Sequence, residues 1–265
     1  MSSAIVYLLR STKSDVTDII KSLNSLYCCF LVNYNYPVII LIEKNFTEEY
    51  KNLITNSINF PITFELINFR SYDELKKYNN NIEKVLITHK GTQKWPIGYR
   101  NMCRFWSGDF LNNTSINKFK YIWRMDSDAY ISNKINYDLF DNMNKKDIAY
   151  CYSNICHDEE EVCKGLFEFS KDYFIQKINS FNWNKYKMFT THVEIINTEI
   201  FKNSLYYDFY NKIDETNCFY INRWGDAPLR YIALTNLNLK CEILNISYYH
   251  GNDGSGRNEQ LLNDV

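Results

Sequence analysis

Apolar runs alternate with amphipathic segments along the first seventy residues. "AIVYLLR" (Ala4–Arg10), "PVIILIE" (Pro37–Glu43) and "ITFELI" (Ile62–Ile67) each have the length and composition of a buried strand. Between the first two runs, apolar residues recur at helical spacing behind Ser14, which we predict as the N-cap, and a second helix is predicted to start at Thr47. Strand, helix, strand, helix, strand predicts an α/β fold with a parallel sheet.

The next predicted strand ends in two aspartates. The polar residues 72–85 are predicted as surface loop or helix, and "YRNMCRFWSGDFL" (Tyr99–Leu111) has helical spacing. "KYIWRM" then predicts a strand whose carboxyl end delivers Asp126 and Asp128. Ligands of open α/β sheets bind at that end, and alternate carboxylates there can turn toward one Mg²⁺ or Mn²⁺ that also binds substrate phosphates. Two aspartates one residue apart also occur in ordinary turns, so both interpretations stay open.

Three later stretches carry further candidates. In "YINRWGDAPLRYIAL", Asp226 before Ala-Pro is predicted as a helix N-cap, or as a carboxylate at the helix mouth that holds a sugar hydroxyl. "THVEIIN" places Glu194 on a strand, where it faces either solvent or a cleft as base or nucleophile. "YYH" supplies His250, and a lone histidine is more often a satisfied surface or core residue than a ligand.

Composition restricts the class of protein. A chain of 265 residues without a Gly/Pro-rich linker fits one compact domain. A net charge of −1 argues against nucleic acid as a partner. The sequence has no basic and apolar leader and no apolar run of about 18 residues, so we expect a soluble chain as given, without a transmembrane segment. Eight cysteines without a C-x-x-C pair argue against structural zinc and leave a few disulfides open.

Five stretches together resemble one known family. "YRNMCRFWSG", "YIWRMDSD", "THVEIIN", "RWGDAP" and "YYH" occur in the order, and with roughly the spacing, of the fungal α-1,2-mannosyltransferases of glycosyltransferase family 15. The resemblance covers nearly the whole chain. It implies a GT-A fold: one catalytic domain over residues 1–265 with a mixed, mainly parallel central sheet flanked by helices. Residues 1–130 would mainly bind the nucleotide sugar, and residues 131–265 would mainly bind the acceptor and perform catalysis.

The resemblance also implies a reaction. Family members transfer mannose from GDP-mannose to a mannoside or glycan with retention, using Mn²⁺ (or Mg²⁺), and act in the Golgi lumen behind an N-terminal anchor. Retention requires either a carboxylate nucleophile or front-face attack, and the sequence leaves both open. Two alternatives remain: the same fold with another nucleotide-sugar donor, and a catalytically silent carbohydrate-binding relative. The segment 144–187 is compressed relative to the family, so the acceptor stays undecided. The compartment stays undecided as well, because the sequence as given shows neither a signal nor the family's anchor.

Site residues follow by the same resemblance. Asp126 and His250 would hold the metal, Glu194 would be the nucleophile, and Asp226 matches an active-site aspartate. Four further residues are expected near the nucleotide or its metal: Arg10, Tyr99, Arg124 and Asp128. The family usually has Glu-Pro-Asp where this chain has Asp-Ser-Asp. Asp126 is thus one methylene shorter, so either the backbone lies closer to the metal or Asp128 takes a larger share of coordination.

Overall fold

Seven strands form the central sheet of the protein, in a computed structural model that describes residues 2–78, 95–184 and 186–251. The eleven strands of the described residues are β1 (Ser3–Leu9), β2 (Val38–Ile42), β3 (Ile62–Leu66), β4 (Tyr121–Met125), β5 (Ala129–Ile131), β6 (Tyr150–Tyr152), β7 (Ile155–His157), β8 (Lys187–Phe189), β9 (Val193–Asn197), β10 (Cys241–Ile243) and β11 (Tyr248–His250). The large sheet has the order β10-β6-β9-β4-β1-β2-β3. Two small sheets pair β5 with β11 and β7 with β8.

The large sheet is mixed. β1, β2, β3 and β4 run parallel, as do β6 and β10, and β9 runs antiparallel between β4 and β6. The three N-terminal strands predicted from apolar runs are present, each within about a residue of the expected bounds. Every residue of β2, β4 and β9 is buried, which explains why these strands are continuously apolar except where a functional side chain interrupts them.

Helices cover both faces of the sheet. They are α1 (Lys13–Leu26), which continues as a π-helical turn (Tyr27–Leu31), α2 (Glu48–Asn56), α3 (Tyr72–Tyr78), α4 (Ile97–Ser107), α5 (Leu139–Lys146), α6 (Leu166–Ile178), α7 (Thr198–Asn203), α8 (Leu205–Glu215), α9 (Cys218–Ile221) and α10 (Asp226–Asn236). Two short 3₁₀ segments, Asp109–Asn112 and Glu160–Cys163, complete the described elements. Of the polar stretch 72–85, residues 72–78 form α3, and residues 79–85 lie outside the described residues.

Two large apolar cores lie on opposite sides of the sheet. One side buries Ile5, Tyr7 and Trp123 with α1 and α5. The other side buries Val6 and Ile122 with the later helices. Because neighbouring strand residues point to opposite faces, β1, β2, β4, β6 and β9 each contribute to both cores. Within the described residues, no helix combines the length and apolarity needed to cross a bilayer.

Two predicted helix caps are wrong. The cap of α1 is Thr12 and not Ser14: the Thr12 hydroxyl accepts a hydrogen bond from the Asp15 N–H at 3.2 Å, so a threonine and an acid three residues later form a capping pair. The cap of α10 is Gly225, and Asp226 is the first helical residue. The helix predicted over Tyr99–Leu111 instead spans α4 and then tightens into the 3₁₀ segment. The helix predicted to start at Thr47 is α2, and Thr47 is its N-cap.

Candidate active site

Strand pairing assembles three candidate ligands at the carboxyl end of β4. The strand ends at Met125, and Asp126 and Asp128 follow directly. β11 pairs antiparallel with β5 so that His250 lies opposite Ala129, next to Asp128. The backbone N–H of Gly251 also donates to the Asp128 carbonyl at 3.0 Å, which ties the two segments together. A histidine far along the chain therefore meets both aspartates because of sheet register.

The three side chains form one cluster. Ligand atoms of Asp126, Asp128 and His250 all lie within 4.8 Å of one another. The His250 Nε2 lies 3.6 Å from an Asp126 carboxylate oxygen and 3.3 Å from an Asp128 oxygen. The side chains are 30%, 36% and 15% exposed, so the cluster opens to solvent. Asp128 belongs to it as fully as Asp126, and which of the two expected adjustments to the shortened first acid applies stays a prediction.

Charge interactions hold this cluster ionised. Burial opposes the charge of Asp126, but the Arg124 guanidinium and His250 outweigh it and lower its pKa to about 2. A hydrogen bond from His250 lowers the pKa of Asp128. Burial works against the His250 cation, but its bonds to the two carboxylates raise its pKa to about 9. The site therefore favours positive charge at the point where the three side chains meet.

Arg124 links the cluster to a buried network. Its guanidinium donates to Asp226 at 2.5 Å, to Asp126 at 3.2 Å and to Glu194 at 3.3 Å. The side chain is only 2% exposed and its Cζ lies 4.8 Å from the centre of the Trp106 ring. Arg124 thus contacts carboxylates in this structure, and its predicted contact with the nucleotide stays a prediction.

Glu194 lies at the centre of that network with 0% of its side chain exposed. Arg230 donates to both carboxylate oxygens, at 2.6 and 2.8 Å, and the Tyr150 hydroxyl donates at 2.5 Å. The register of β4 and β9 puts Glu194 opposite Arg124. Each oxygen of Glu194 thus has at least two donors. The role of Glu194 as nucleophile stays a prediction, and both of its carboxylate oxygens are already engaged in hydrogen bonds.

The donor set fits a divalent cation. Four carboxylates of the site lie with two buried guanidinium groups, so the acids outnumber the arginines by two, and without a metal the His250 cation offsets part of that excess. These groups are Asp126, Asp128, Glu194 and Asp226, against Arg124 and Arg230. Oxygen ligands about 2.1 Å from one ion stand up to about 4.2 Å apart, so small side-chain rotations would bring the three clustered ligands around a single Mg²⁺ or Mn²⁺.

Tyr99 lies on the helix that covers this network. α4 also brings Met102 to Arg124, with the sulfur 3.7 Å from a guanidinium nitrogen. The Tyr99 hydroxyl accepts a hydrogen bond from Arg223 at 3.2 Å, and its ring lies 4.4 Å from that of Trp95. Burial raises the pKa of Tyr99 well above its usual range. The half-buried phenol is therefore a neutral hydrogen-bonding group beside the site.

Arg223 anchors this wall of the site. It forms a buried ion pair with Asp158 at 2.8 Å and stacks over the Trp95 ring at 4.6 Å. Its backbone has φ 61°, a left-handed conformation that is strained for a non-glycine residue. The strain sits three residues before Asp226, so it helps to set the direction in which α10 starts.

Arg10 lies on the opposite side of the cluster. Its side chain is 77% exposed and pairs with Asp15 at 2.8 Å, and that hydrogen bond raises the pKa of Arg10. The residue follows the carboxyl end of β1, the neighbour of β4 in the sheet. An exposed cation at this edge is available to a nucleotide, and its role stays a prediction.

Three residues of the site were missed by sequence reasoning. Arg230 follows Asp226 by four residues on a helix, so the spacing alone could have placed it on the same face. Arg223 precedes the Gly-Asp of "RWGDAP" and carries no periodic signal. His192 precedes Glu194 by two residues, on the same strand face, and stacks its ring on that of His250 at 3.4 Å.

Sheet order and the aspartate–histidine cluster define a GT-A glycosyltransferase fold. The mannosyltransferase Ktr4p from Saccharomyces cerevisiae, solved in complex with GDP, superposes with a TM-score of 0.80 at 26% identity, over 94% of this chain and 71% of that one. Core-mannan synthase A from Aspergillus fumigatus, in an Mn/GDP form, shares the fold with a TM-score of 0.82 at 21% identity, over 94% of this chain and 74% of that one.

The chain belongs to the glycolipid 2-alpha-mannosyltransferase family, glycosyltransferase family 15, whose model matches residues 1–262. It is 28% identical to the probable mannosyltransferase KTR4 of Saccharomyces cerevisiae over 93% of this chain and 59% of the relative. It is 29% identical to the probable mannosyltransferase MNT3 of Candida albicans over 94% of this chain and 70% of the relative. The chain thus spans between a half and three quarters of the length of these relatives. The family and the GT-A fold expected from the sequence are confirmed.

Proposed function

We propose that the protein is a retaining, metal-dependent α-mannosyltransferase that uses GDP-mannose and forms an α-1,2 linkage to a mannoside or glycan. One observation carries the proposal: Asp126, Asp128 and His250 converge at the carboxyl end of β4 in a chain of this family. Relatives solved with GDP, one of them also with Mn, support the donor and the metal.

The clustered side chains would hold the donor end of the reaction. Asp126, Asp128 and His250 would bind Mn²⁺ or Mg²⁺, which offsets the charge that develops on a diphosphate leaving group. Arg10 lies exposed at the next strand end, where it can pair with a phosphate. Tyr99 supplies a neutral phenol on the other wall. These groups would stabilise the departing nucleotide more than the intact donor, which is the requirement for catalysis.

Because Glu194 is buried, front-face attack is the favoured route to retention of the anomeric configuration. To reach an anomeric carbon, Glu194 would have to give up hydrogen bonds from Arg230 and Tyr150, and a charged donor left unpaired in the interior is costly. We therefore propose that the acceptor hydroxyl attacks from the side of the leaving diphosphate. The C1–O bond breaks with its electron pair going to the phosphate oxygen, and that oxygen takes the proton of the hydroxyl.

Asp226 would orient the sugar or the acceptor. As the first residue of α10 it lies at a helix N-terminus, which stabilises its charge. One of its oxygens accepts from Arg124 at 2.5 Å, which fixes the carboxylate next to the metal cluster. Among the described residues no side chain or backbone group donates to the other oxygen, which would accept from a sugar hydroxyl.

Product analysis tests the proposal. Purified protein, Mn²⁺, GDP-mannose and a panel of mannosides should yield an α-1,2-linked product by NMR, and chelation with EDTA should stop the reaction. Asp126→Ala should abolish transfer, whereas Asp172→Ala, which removes an exposed aspartate of α6, should leave it unchanged. A product formed from a UDP-sugar, or a β-linked product, would contradict the proposed donor or the proposed stereochemistry. Sugar binding without transfer under all conditions would favour a silent relative.

A further inference from the structure

His192 contacts both halves of the proposed metal site, the Asp126 half through its backbone and the His250 half through its ring. It precedes the first residue of β9, and the pairing of β9 with β4 continues past Met125 so that the Asp126 N–H donates to the His192 carbonyl at 2.8 Å. This bond fixes the main chain of Asp126 at the point where it leaves the sheet. The position of one candidate ligand therefore depends on the strand that carries His192.

The His192 side chain contacts the other half of the site. Its ring lies flat on the His250 ring, with the centroids 3.4 Å apart and the planes at 4°. His192 is itself half-buried, so the pair forms the inner wall of the cluster. Only His250 of the two has a nitrogen close to both aspartates.

The second nitrogen of His250 explains why this stacking matters. A metal-bound histidine usually donates its other ring N–H to a carboxylate or carbonyl, which fixes the plane of the ring. In the part of the chain that the structure describes, the buried Nδ1 of His250 has no hydrogen-bond partner. The usual orienting bond is thus missing among the described residues, and the flat contact with His192 restricts rotation of the His250 ring in addition to the Nε2 contacts with the two aspartates.

We propose that His192 is a positioning residue for the metal site, which orients the His250 ring by stacking and the Asp126 backbone by a hydrogen bond. This inference rests on the proposed metal dependence. The flat His192 ring, and not its nitrogens, would orient His250. His192 would raise metal affinity without itself binding the ion.

Two substitutions separate the ring from its nitrogens. His192→Phe keeps a flat ring and removes the nitrogens, and His192→Gln keeps a polar group and removes the ring. His157→Gln, on an exposed residue of β7, is the matched control. Titration of each purified protein with Mn²⁺, followed by the EPR signal of free Mn²⁺, measures the metal affinity directly. Loss of an orienting partner typically weakens metal binding by about 10-fold or more, so we expect that loss for the Gln variant and near wild-type affinity for the Phe variant and the control.

Kinetics supply a second measurement. For His192→Gln, the Mn²⁺ concentration that gives half-maximal activity should rise by the same factor as the dissociation constant, while kcat at saturating Mn²⁺ stays close to that of the wild type. Equal weakening in the Phe and Gln variants would overturn the proposal, because it would assign the role to a ring nitrogen. Wild-type affinity in the Gln variant would overturn it as well. If the wild type itself bound no Mn²⁺, the proposed metal dependence would fail instead.

Discussion

Replacement of Glu194 by Gln distinguishes a buried structural carboxylate from a nucleophile. The wild-type carboxylate accepts from Arg230 twice, from Tyr150 and from Arg124, with no exposed surface. Gln has nearly the same shape, but it removes the charge and puts an NH₂ group against a guanidinium. Arg230, which is itself fully buried, would then have lost its ionic partner.

The size of the effect follows from that geometry. Removing one partner of a buried ion pair costs about 3 to 5 kcal/mol, because the other charge stays buried without compensation. In a chain of this size each kcal/mol corresponds to about 2 to 4 °C in Tm, so we expect Glu194→Gln to lower Tm by about 6 to 20 °C. A nucleophile that faces a cleft has no such donors, and its amide would leave stability unchanged or slightly raised.

Thermal and urea unfolding of the metal-free protein measure the difference. Glu199→Gln, on an exposed glutamate of α7, is the matched control and should change Tm by less than a degree or two, since surface substitutions usually stay within about 0.5 kcal/mol. The double variant Glu194→Gln, Arg230→Met should recover part of the loss, because it removes the uncompensated charge. Unchanged unfolding of Glu194→Gln would refute the argument.

Chemical rescue tests whether Glu194 acts as the nucleophile. If Glu194 were the nucleophile, azide added to Glu194→Gly would occupy its place and give a β-mannosyl azide from the donor. We expect no such product, because the residue has no open face toward a substrate. Formation of the azide would contradict front-face attack.

Three further predictions concern other parts of the molecule. Asp126→Asn should abolish Mn²⁺ binding in the EPR titration, because it removes a charged ligand beside Asp128 and His250; retained binding would exclude Asp126 as a ligand. Gly108→Ala should lower the free energy of unfolding by about 1 to 3 kcal/mol, because an added Cβ would clash with the Tyr210 ring. A hydrogen bond from Tyr173 lowers the pKa of Asp208, so its contribution to stability is present above the ordinary aspartate pKa and is lost as the pH falls toward the lowered value. Asp208→Asn should therefore flatten the acid side of a Tm–pH curve.

The sequence predicts β1, β2 and β4 well because these strands are buried on both faces. β1 and β2 are nearly continuous apolar runs, because helices cover both faces of the sheet and no alternating solvent-facing positions interrupt the pattern. Helix starts are harder to predict. Ser14 and Asp226 are both residue types that commonly cap helices, but Thr12 and Gly225 occupy the cap positions. The Thr12 hydroxyl accepts from the Asp15 N–H, and the Asp226 carboxylate accepts from Arg124.

For the site, too, some residues can be predicted from the local sequence, whereas others depend on contacts between distant parts of the chain. The aspartates after β4 can be located from the end of an apolar run, as Asp126 and Asp128 were. That His250 joins them depends on the pairing of β5 with β11, which is a contact between distant parts of the chain. The partners of Glu194 lie on three separate elements, so neither its burial nor its ionic contact with Arg230 follows from "THVEIIN". The assignment of residues 1–130 and 131–265 to donor and acceptor binding stays a prediction.

The late position of β11 has a consequence for biosynthesis. A ribosome adds the histidine more than a hundred residues after the two aspartates, and domains made N-terminal first begin to fold during synthesis. A nascent chain therefore contains both aspartates before the histidine that would complete the proposed cation site. If the three side chains bind the ion as proposed, the complete ligand set forms only when β11 pairs with β5, so ion binding would report that translation has passed this strand.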